Sequence, residues 1–136
     1  MRGTINHVAL TVSDLSASEA AFYRPVLGWL GYEKVEDEPG TMTLWYNDGA
    51  RLAINLWQAR AGGGHDRANP GLHHLAFAAP DRSDVDELHD LLIRAGIDVL
   101  DAPAEYPDYG PGYYTVYFAD PDGMKFELAH MPIIPD

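Results

Sequence analysis

The stretch "INHVALTVSD", residues 5–14, recurs without a gap as "LHHLAFAAPD", residues 72–81, and the recurrence places His7 on His74. A second ungapped match lays "TMTLWYNDGARLAINLW" (41–57) over "YYTVYFADPDGMKFELA" (113–129), pairing Asp48 with Asp120, Asn55 with Glu127 and Trp45 with Tyr117. The chain therefore reads as two copies of one unit.

Each copy opens with a strand of alternating pattern (5–12; 72–79) and continues into an amphipathic helix. The first helix carries a capping-box signal, Ser16 with Glu19 three residues on, and runs through Ala20, Phe22, Tyr23 and Leu27 to glycines at 28 and 31. Pro25 falls inside that pattern and should kink or shorten it. The second helix starts near Ser83, carries Val85, Leu88, Leu91 and Leu92, and stops at Gly96. Three strands follow in each copy, about 32–36, 41–47 and 51–57, then 97–100, 113–119 and 124–130. This predicts an α+β fold of two βαβββ modules in a single domain over 1–136, with module one at about 4–58 and module two at about 72–130. The joint "ARAGGGHDRANPG" (59–71) reads as a flexible linker.

Composition narrows the function. With no cysteine among 136 residues, disulfide staples and thiolate metal sites are excluded. No run approaches the roughly 18 apolar residues of a membrane span, and "MRGTINHVAL" lacks the apolar core of a signal peptide, so a cytoplasmic protein is expected. A net charge of −12 opposes nucleic acid and other strongly anionic partners and suits a neutral or cationic small molecule.

Strand periodicity then sorts the polar residues. In 72–79, Leu75, Phe77 and Ala79 share a face with His73, while Ala76 and Ala78 share the opposite face with His74. The bulky face should pack on helices, with His73 among its apolar neighbours, and the small-residue face should stay open. The same reasoning places His7 on the open face of 5–12, Asn55 and Trp57 on that of 51–57, and Glu127 on that of 124–130. Two imidazoles and a carboxylate with spare coordination positions make an open divalent-metal site, suited to Fe2+, Mn2+, Ni2+ or Zn2+. His7, His74 and Glu127 are the expected ligands, and Asn55 is a possible fourth. Tyr117, on one face with Thr115, is the candidate catalytic hydrogen-bond donor to a metal-bound substrate, and Trp45, Trp57 and Thr115 are the expected lining of the substrate cleft. The Pro-, Gly- and Tyr-rich segment 101–114 is expected to be a loop over its mouth.

The segments "HVALTVSDLSASEAAFYRPVLGWLGYE", "LHHLAF" and "VYFADPDGMKFELAH" resemble the vicinal oxygen chelate superfamily, which includes glyoxalase I, extradiol dioxygenases, methylmalonyl-CoA epimerase, fosfomycin-resistance transferases and bleomycin-resistance proteins. The resemblance covers essentially the whole chain. It implies paired βαβββ modules curled around a metal-containing cleft, with His7, His74 and Glu127 on the family's ligand positions and a homodimer as the expected assembly. Both a site closed within one chain and a site paired across a dimer occur in the superfamily. The family's fourth position, Glu or Gln in isomerases, is here Asn55, an amide that cannot accept a proton. That weakens a glyoxalase I reading and places the ligand set nearer the extradiol dioxygenases. Val116, Tyr117, Asp120, Pro121, Gly123 and Glu127 meet the dioxygenase pattern, although "DYG" at 108–110 stands where its acid–base histidine is expected. The expectation is thus a metal-dependent enzyme acting on a small oxygen-chelating substrate. The alternatives are a lyase or isomerase of the same superfamily and a metal-free binding protein of bleomycin-resistance type.

Overall fold

The structure is a computed structural model and describes residues 1–132. It divides into two compact units, Met1–Gly64 and His65–Asp136, so the boundary falls inside the linker. Unit one runs β1 (His7–Val12), α1 (Leu15–Ser18), a π-helical turn (Glu19–Tyr23), α2 (Arg24–Trp29), β2 (Glu33–Glu38), β3 (Met42–Asn47) and β4 (Leu52–Gln58). Unit two runs β5 (Leu75–Ala78), α3 (Arg82–Arg94), β6 (Asp98–Glu105), a short 3-10 turn (Pro107–Tyr109), β7 (Tyr114–Ala119) and β8 (Lys125–His130). Each unit carries one four-stranded mixed sheet, ordered β1-β4-β3-β2 and β5-β8-β7-β6. The α+β class and the βαβββ units stand.

In each sheet the first strand lies parallel to the last, β1 beside β4 and β5 beside β8, and the remaining pairs are antiparallel. The parallel pairing requires a crossover, and the helix supplies it. In unit two the core forms between α3 and one sheet face. Val85, Leu88 and Leu92 are wholly buried, and Phe126 stacks between Phe77 and Phe118 at centroid distances of 6.3 Å and 6.0 Å. Asp81 caps α3, exchanging hydrogen bonds with Asp84 in a capping box.

The first helix departs from expectation in two ways. Its N-cap is Asp14, whose carboxylate accepts from the Ala17 backbone N–H at 3.1 Å. Ser16 is exposed, and Glu19 is buried against the sheet instead of reaching back to a cap. Pro25 neither ends nor simply kinks the helix. The π-helical turn precedes it, with the Arg24 N–H bonded to the Glu19 carbonyl, and Pro25 sits in the first turn of α2, where a missing N–H costs least.

The strand β6 continues to Glu105, through the first five residues of the segment expected to be a loop. It is an edge strand whose register shifts between Val99 and Asp101 and between Asp101 and Ala104, and Pro103 falls in the second irregularity. An edge with bulges tolerates a proline that a central strand would reject. Residues 106–113 form the remaining loop, closed by the Tyr106 N–H bonding to the Tyr113 carbonyl at 2.9 Å.

The two copies also differ in hairpin register. The β7–β8 turn spans 120–124 and sets Tyr117 opposite Glu127; the β3–β4 turn spans 48–51, one residue shorter, and sets Leu44 rather than Trp45 opposite Asn55. A one-residue slip moves a whole strand's side chains to the other face. Trp45 accordingly pairs with Ile54 on the helix side of its sheet, 4% exposed, and is not a cleft residue.

Candidate functional site

The open face of unit two gathers Lys125, Glu127, Thr115 and Tyr117 from β8 and β7, with Tyr113 at the foot of β7 and His74 one residue before β5. Glu127 is its centre. Only 2% exposed, this carboxylate faces His74, whose Nε2 lies 3.2 Å from Oε1. The other oxygen, Oε2, accepts from the Tyr113 hydroxyl at 2.6 Å and lies 2.8 Å from the Thr115 hydroxyl, which also lies 2.9 Å from the Leu128 carbonyl. A buried carboxylate needs such donors, because burial without them costs several kcal/mol, about the penalty of an unpaired ion.

This arrangement separates the two ends of the carboxylate by job. Oε2 is held by hydroxyls, which leaves Oε1 and the His74 Nε2 facing one another. Two donor atoms each about 2.0–2.2 Å from one ion lie roughly 3.0–3.4 Å apart for right-angled to tetrahedral coordination. The observed 3.2 Å fits a shared divalent cation. The Tyr113 and Thr115 hydroxyls behind Oε2 fix the orientation of the carboxylate. Among the described residues no group of three or more His, Cys, Asp or Glu side chains gathers where one ion could be held.

His73 does not pack beside Leu75 and Phe77. The strand begins only at Leu75, so the alternation that would send His73 and His74 to opposite faces does not yet apply. His73 is exposed, its ring edge-on to that of His74 at 4.9 Å, with 2.7 Å between the two Nδ1 atoms. The two histidines share an environment after all.

Tyr117, 8% exposed, lies on the open face as expected, its ring 6.2 Å from that of His74 and beneath the Lys125 ammonium at 4.3 Å. Thr115 is wholly buried under Glu127, so it supports the carboxylate instead of lining a cleft. Tyr113 was not singled out from the sequence, although its period-two relation to Thr115 and Tyr117 puts it on the same face. Tyr106, Tyr109 and Tyr113 extend the aromatic wall, with Tyr106 5.8 Å from Tyr117 and Tyr109 5.5 Å from Tyr113. Burial first, and then the neighbouring Glu127, hold the phenols of Tyr113 and Tyr117 well above the usual tyrosine range, so both are hydrogen-bond donors at neutral pH.

The Tyr113 shift has a consequence in alkali. A group whose folded-state pKa is raised stabilises the fold fully below its unfolded value of 10.0, and the gain is lost as pH rises from there toward the folded value. Melting temperature should therefore fall as pH climbs above 10, and Tyr113→Phe should flatten that fall. An identical alkaline decline in the variant would show that the Tyr113–Glu127 bond does not persist in solution.

In unit one the open face presents His7, Ala9 and Thr11 of β1 and Trp57 of β4, all exposed, beside buried Asn55. Asn55 occupies the position equivalent to Glu127, but its amide is already engaged: Nδ2 donates to the Thr43 carbonyl at 2.9 Å, and Oδ1 accepts from the Trp57 indole N–H. Oδ1 is its only metal-ligating atom, and it is committed to Trp57. Asn55→Ala should therefore leave metal stoichiometry unchanged while costing about 1–3 kcal/mol in thermal melting, because two local polar groups lose a partner. Loss of bound metal in that variant would make Asn55 a ligand. On the opposite, helix side, Trp45 donates its indole N–H to Glu19 at 2.9 Å and Lys34 pairs with Glu19 at 3.2 Å, at the edge of a cavity of about 410 Å³.

A model of the Glyoxalase/Bleomycin resistance protein/Dioxygenase superfamily matches residues 4–128, which contain both sheets almost entirely. The chain belongs to that superfamily. Within reach of this Glyoxalase/Bleomycin resistance protein/Dioxygenase chain is the Bacillus subtilis protein YqjT, 33% identical over 127 residues, covering 91% of this chain and 96% of YqjT. The metallothiol transferase FosB of Lysinibacillus sphaericus is 29% identical over 126 residues, covering 92% and 80%. Among solved structures, a glyoxylase/bleomycin resistance protein/dioxygenase domain from Frankia sp. EAN1pec superposes with a TM-score of 0.78 at 26% identity, covering 97% of this chain and all of that one. Superfamily members include enzymes that act on small molecules. Among the described residues no helix is long and apolar enough to cross a membrane.

Proposed function

We infer that the protein is a divalent-metal-dependent enzyme acting on a small oxygen-chelating substrate, with His7, His74 and Glu127 as the protein ligands and Fe2+, Mn2+, Ni2+ or Zn2+ as the ion. The observation that carries this reading is the His74 Nε2 to Glu127 Oε1 distance of 3.2 Å, with the far carboxylate oxygen already held by Tyr113. The third ligand, His7, is exposed on β1 and so open to a second copy of the chain. His7 of one protomer joins His74 and Glu127 of the other in a homodimer. The kinship to a metallothiol transferase supports the use of a metal.

When bound, the ion polarises the substrate oxygens and stabilises the negative charge that develops on them. The chain's own residues supply the rest. The Tyr117 phenol, held protonated, donates to a substrate oxygen, and the Lys125 ammonium over its ring adds a positive charge beside the developing oxyanion. The tyrosine wall of 106, 109 and 113 offers planar surfaces to an apolar or aromatic substrate body. With Asn55 occupied by Trp57 and three protein ligands remaining, the set stands nearer the extradiol dioxygenases than glyoxalase I. The net charge of −12 favours neutral or cationic substrates. Metal analysis of the purified protein, followed by a screen of catechols and of α-hydroxy and α-keto thioesters, tests the reading. Stoichiometric metal that Glu127→Gln abolishes is the expected result; ligand binding that is indifferent to metal and to that substitution would replace the enzyme with a binding protein.

A further inference from the structure

Both candidate ligand histidines have their second ring nitrogen engaged by the residue immediately before them. His7 Nδ1 lies 2.8 Å from Asn6 Oδ1, and His74 Nδ1 lies 2.7 Å from His73 Nδ1. In the repeat that overlays His7 on His74, Asn6 overlays His73. The same contact has thus been built twice, with different side chains, at equivalent points of two separate units.

We propose that Asn6 and His73 are paired positioning residues: each holds the imidazole that follows it through Nδ1, so that Nε2 is the ring nitrogen left for a metal ion. The inference rests on the metal reading above. The chemistry is restrictive. A neutral imidazole carries one ring proton, and a nitrogen that carries a proton cannot ligate. An Asn6 carbonyl oxygen that accepts from Nδ1 keeps the His7 proton there and leaves the Nε2 lone pair free. At His74 the Nε2 faces a carboxylate oxygen 3.2 Å away. With no ion between them, a proton on Nε2 satisfies Glu127, and His73 donates to the His74 Nδ1. For Nε2 to ligate, that proton must sit on Nδ1 and be donated to His73 instead. An imidazole at position 73 serves both arrangements, because its own Nδ1 can be donor or acceptor. Ring orientation and tautomer are what the outer partner of a metal-ligating histidine sets, and losing such a partner typically lowers metal affinity about 10- to 100-fold.

Asn6 and His73 are both exposed, so their variants are expected to fold. The test combines Zn2+ affinity, measured by competition with a chelator, with imidazole nitrogen NMR of the metal-free and Zn2+-loaded full chain. His73→Ala and Asn6→Ala should each weaken Zn2+ binding by about 10- to 100-fold with unchanged stoichiometry. His73→Asn, which installs the side chain that the first copy uses, should recover most of the loss, a rescue that a merely structural role for His73 would not produce. The loaded wild-type protein should show His7 and His74 protonated on Nδ1. Unchanged affinity in both alanine variants, or coordination through Nδ1, overturns the proposal. Failure of the metal reading looks different: the wild-type protein itself takes up no Zn2+. Even then the Nδ1-protonated form of His7, present in wild type and lost in Asn6→Ala, would uphold the positioning by Asn6, and its absence would overturn it.

Discussion

Mixing His7→Ala chains with Glu127→Gln chains should restore metal binding that neither variant has alone. Each homodimer lacks one ligand from both of its sites, and removing a first ligand should cost more than the roughly 10- to 100-fold that outer partners contribute, so both should bind no metal at working concentrations. In a mixed dimer, the Glu127→Gln chain still supplies an intact His7, and the His7→Ala chain still supplies intact His74 and Glu127. One complete site results. The measurement is metal content by mass spectrometry after co-refolding and separation of the mixed dimer by tags. Recovery there requires a site shared between copies. If each variant is empty and the mixed dimer is empty too, the three ligands meet within one chain, and the dimeric arrangement fails while the ligand assignment survives.

Trp45→Ala should be among the most damaging single substitutions for stability, with little effect on metal. Its indole is 4% exposed on the helix side of its sheet and donates to Glu19, itself 5% exposed and paired with Lys34. Truncating a buried tryptophan typically costs about 3–5 kcal/mol, and here a buried carboxylate loses a donor as well. A chain of this size should melt roughly 10 °C or more lower. Trp57 behaves oppositely: 38% exposed on the open face, it is the tryptophan whose fluorescence a bound aromatic ligand should quench. Quenching should survive Trp45→Phe and vanish in Trp57→Phe. If Trp45→Phe abolishes it, the open face has been assigned to the wrong side of the first sheet.

The contrast between these two tryptophans shows where reading the sequence reaches its limit. The overlay of residues 41–57 on 113–129 is ungapped in the letters, and it sets Trp45 on Tyr117. In space the first hairpin turn is one residue shorter, and because side chains alternate along a strand, that single residue sends Trp45 to the helix and brings Leu44 to the open face. Letter-by-letter identity cannot report which residues a turn takes and which the strands keep.

The order of elements, the packing stripe of α3 and the strand face carrying Glu127 and Tyr117 were legible in the sequence, because each follows from a local period, 3.6 or 2, that holds whatever the surroundings, and the repeat was legible in the letters themselves. Tertiary structure decided what no period encodes. It withdrew His73 from the packing face, since the pleat starts only at Leu75; it turned Glu19 from a capping residue into the buried partner of Trp45 and Lys34; and it committed Asn55 to Trp57. It also divided the Glu127 carboxylate between Tyr113 on one oxygen and His74 on the other. In each case the outcome depends on which polar group lies within about 3 Å of another across strands, and hydrogen bonding is satisfied by proximity in space, which only the fold supplies.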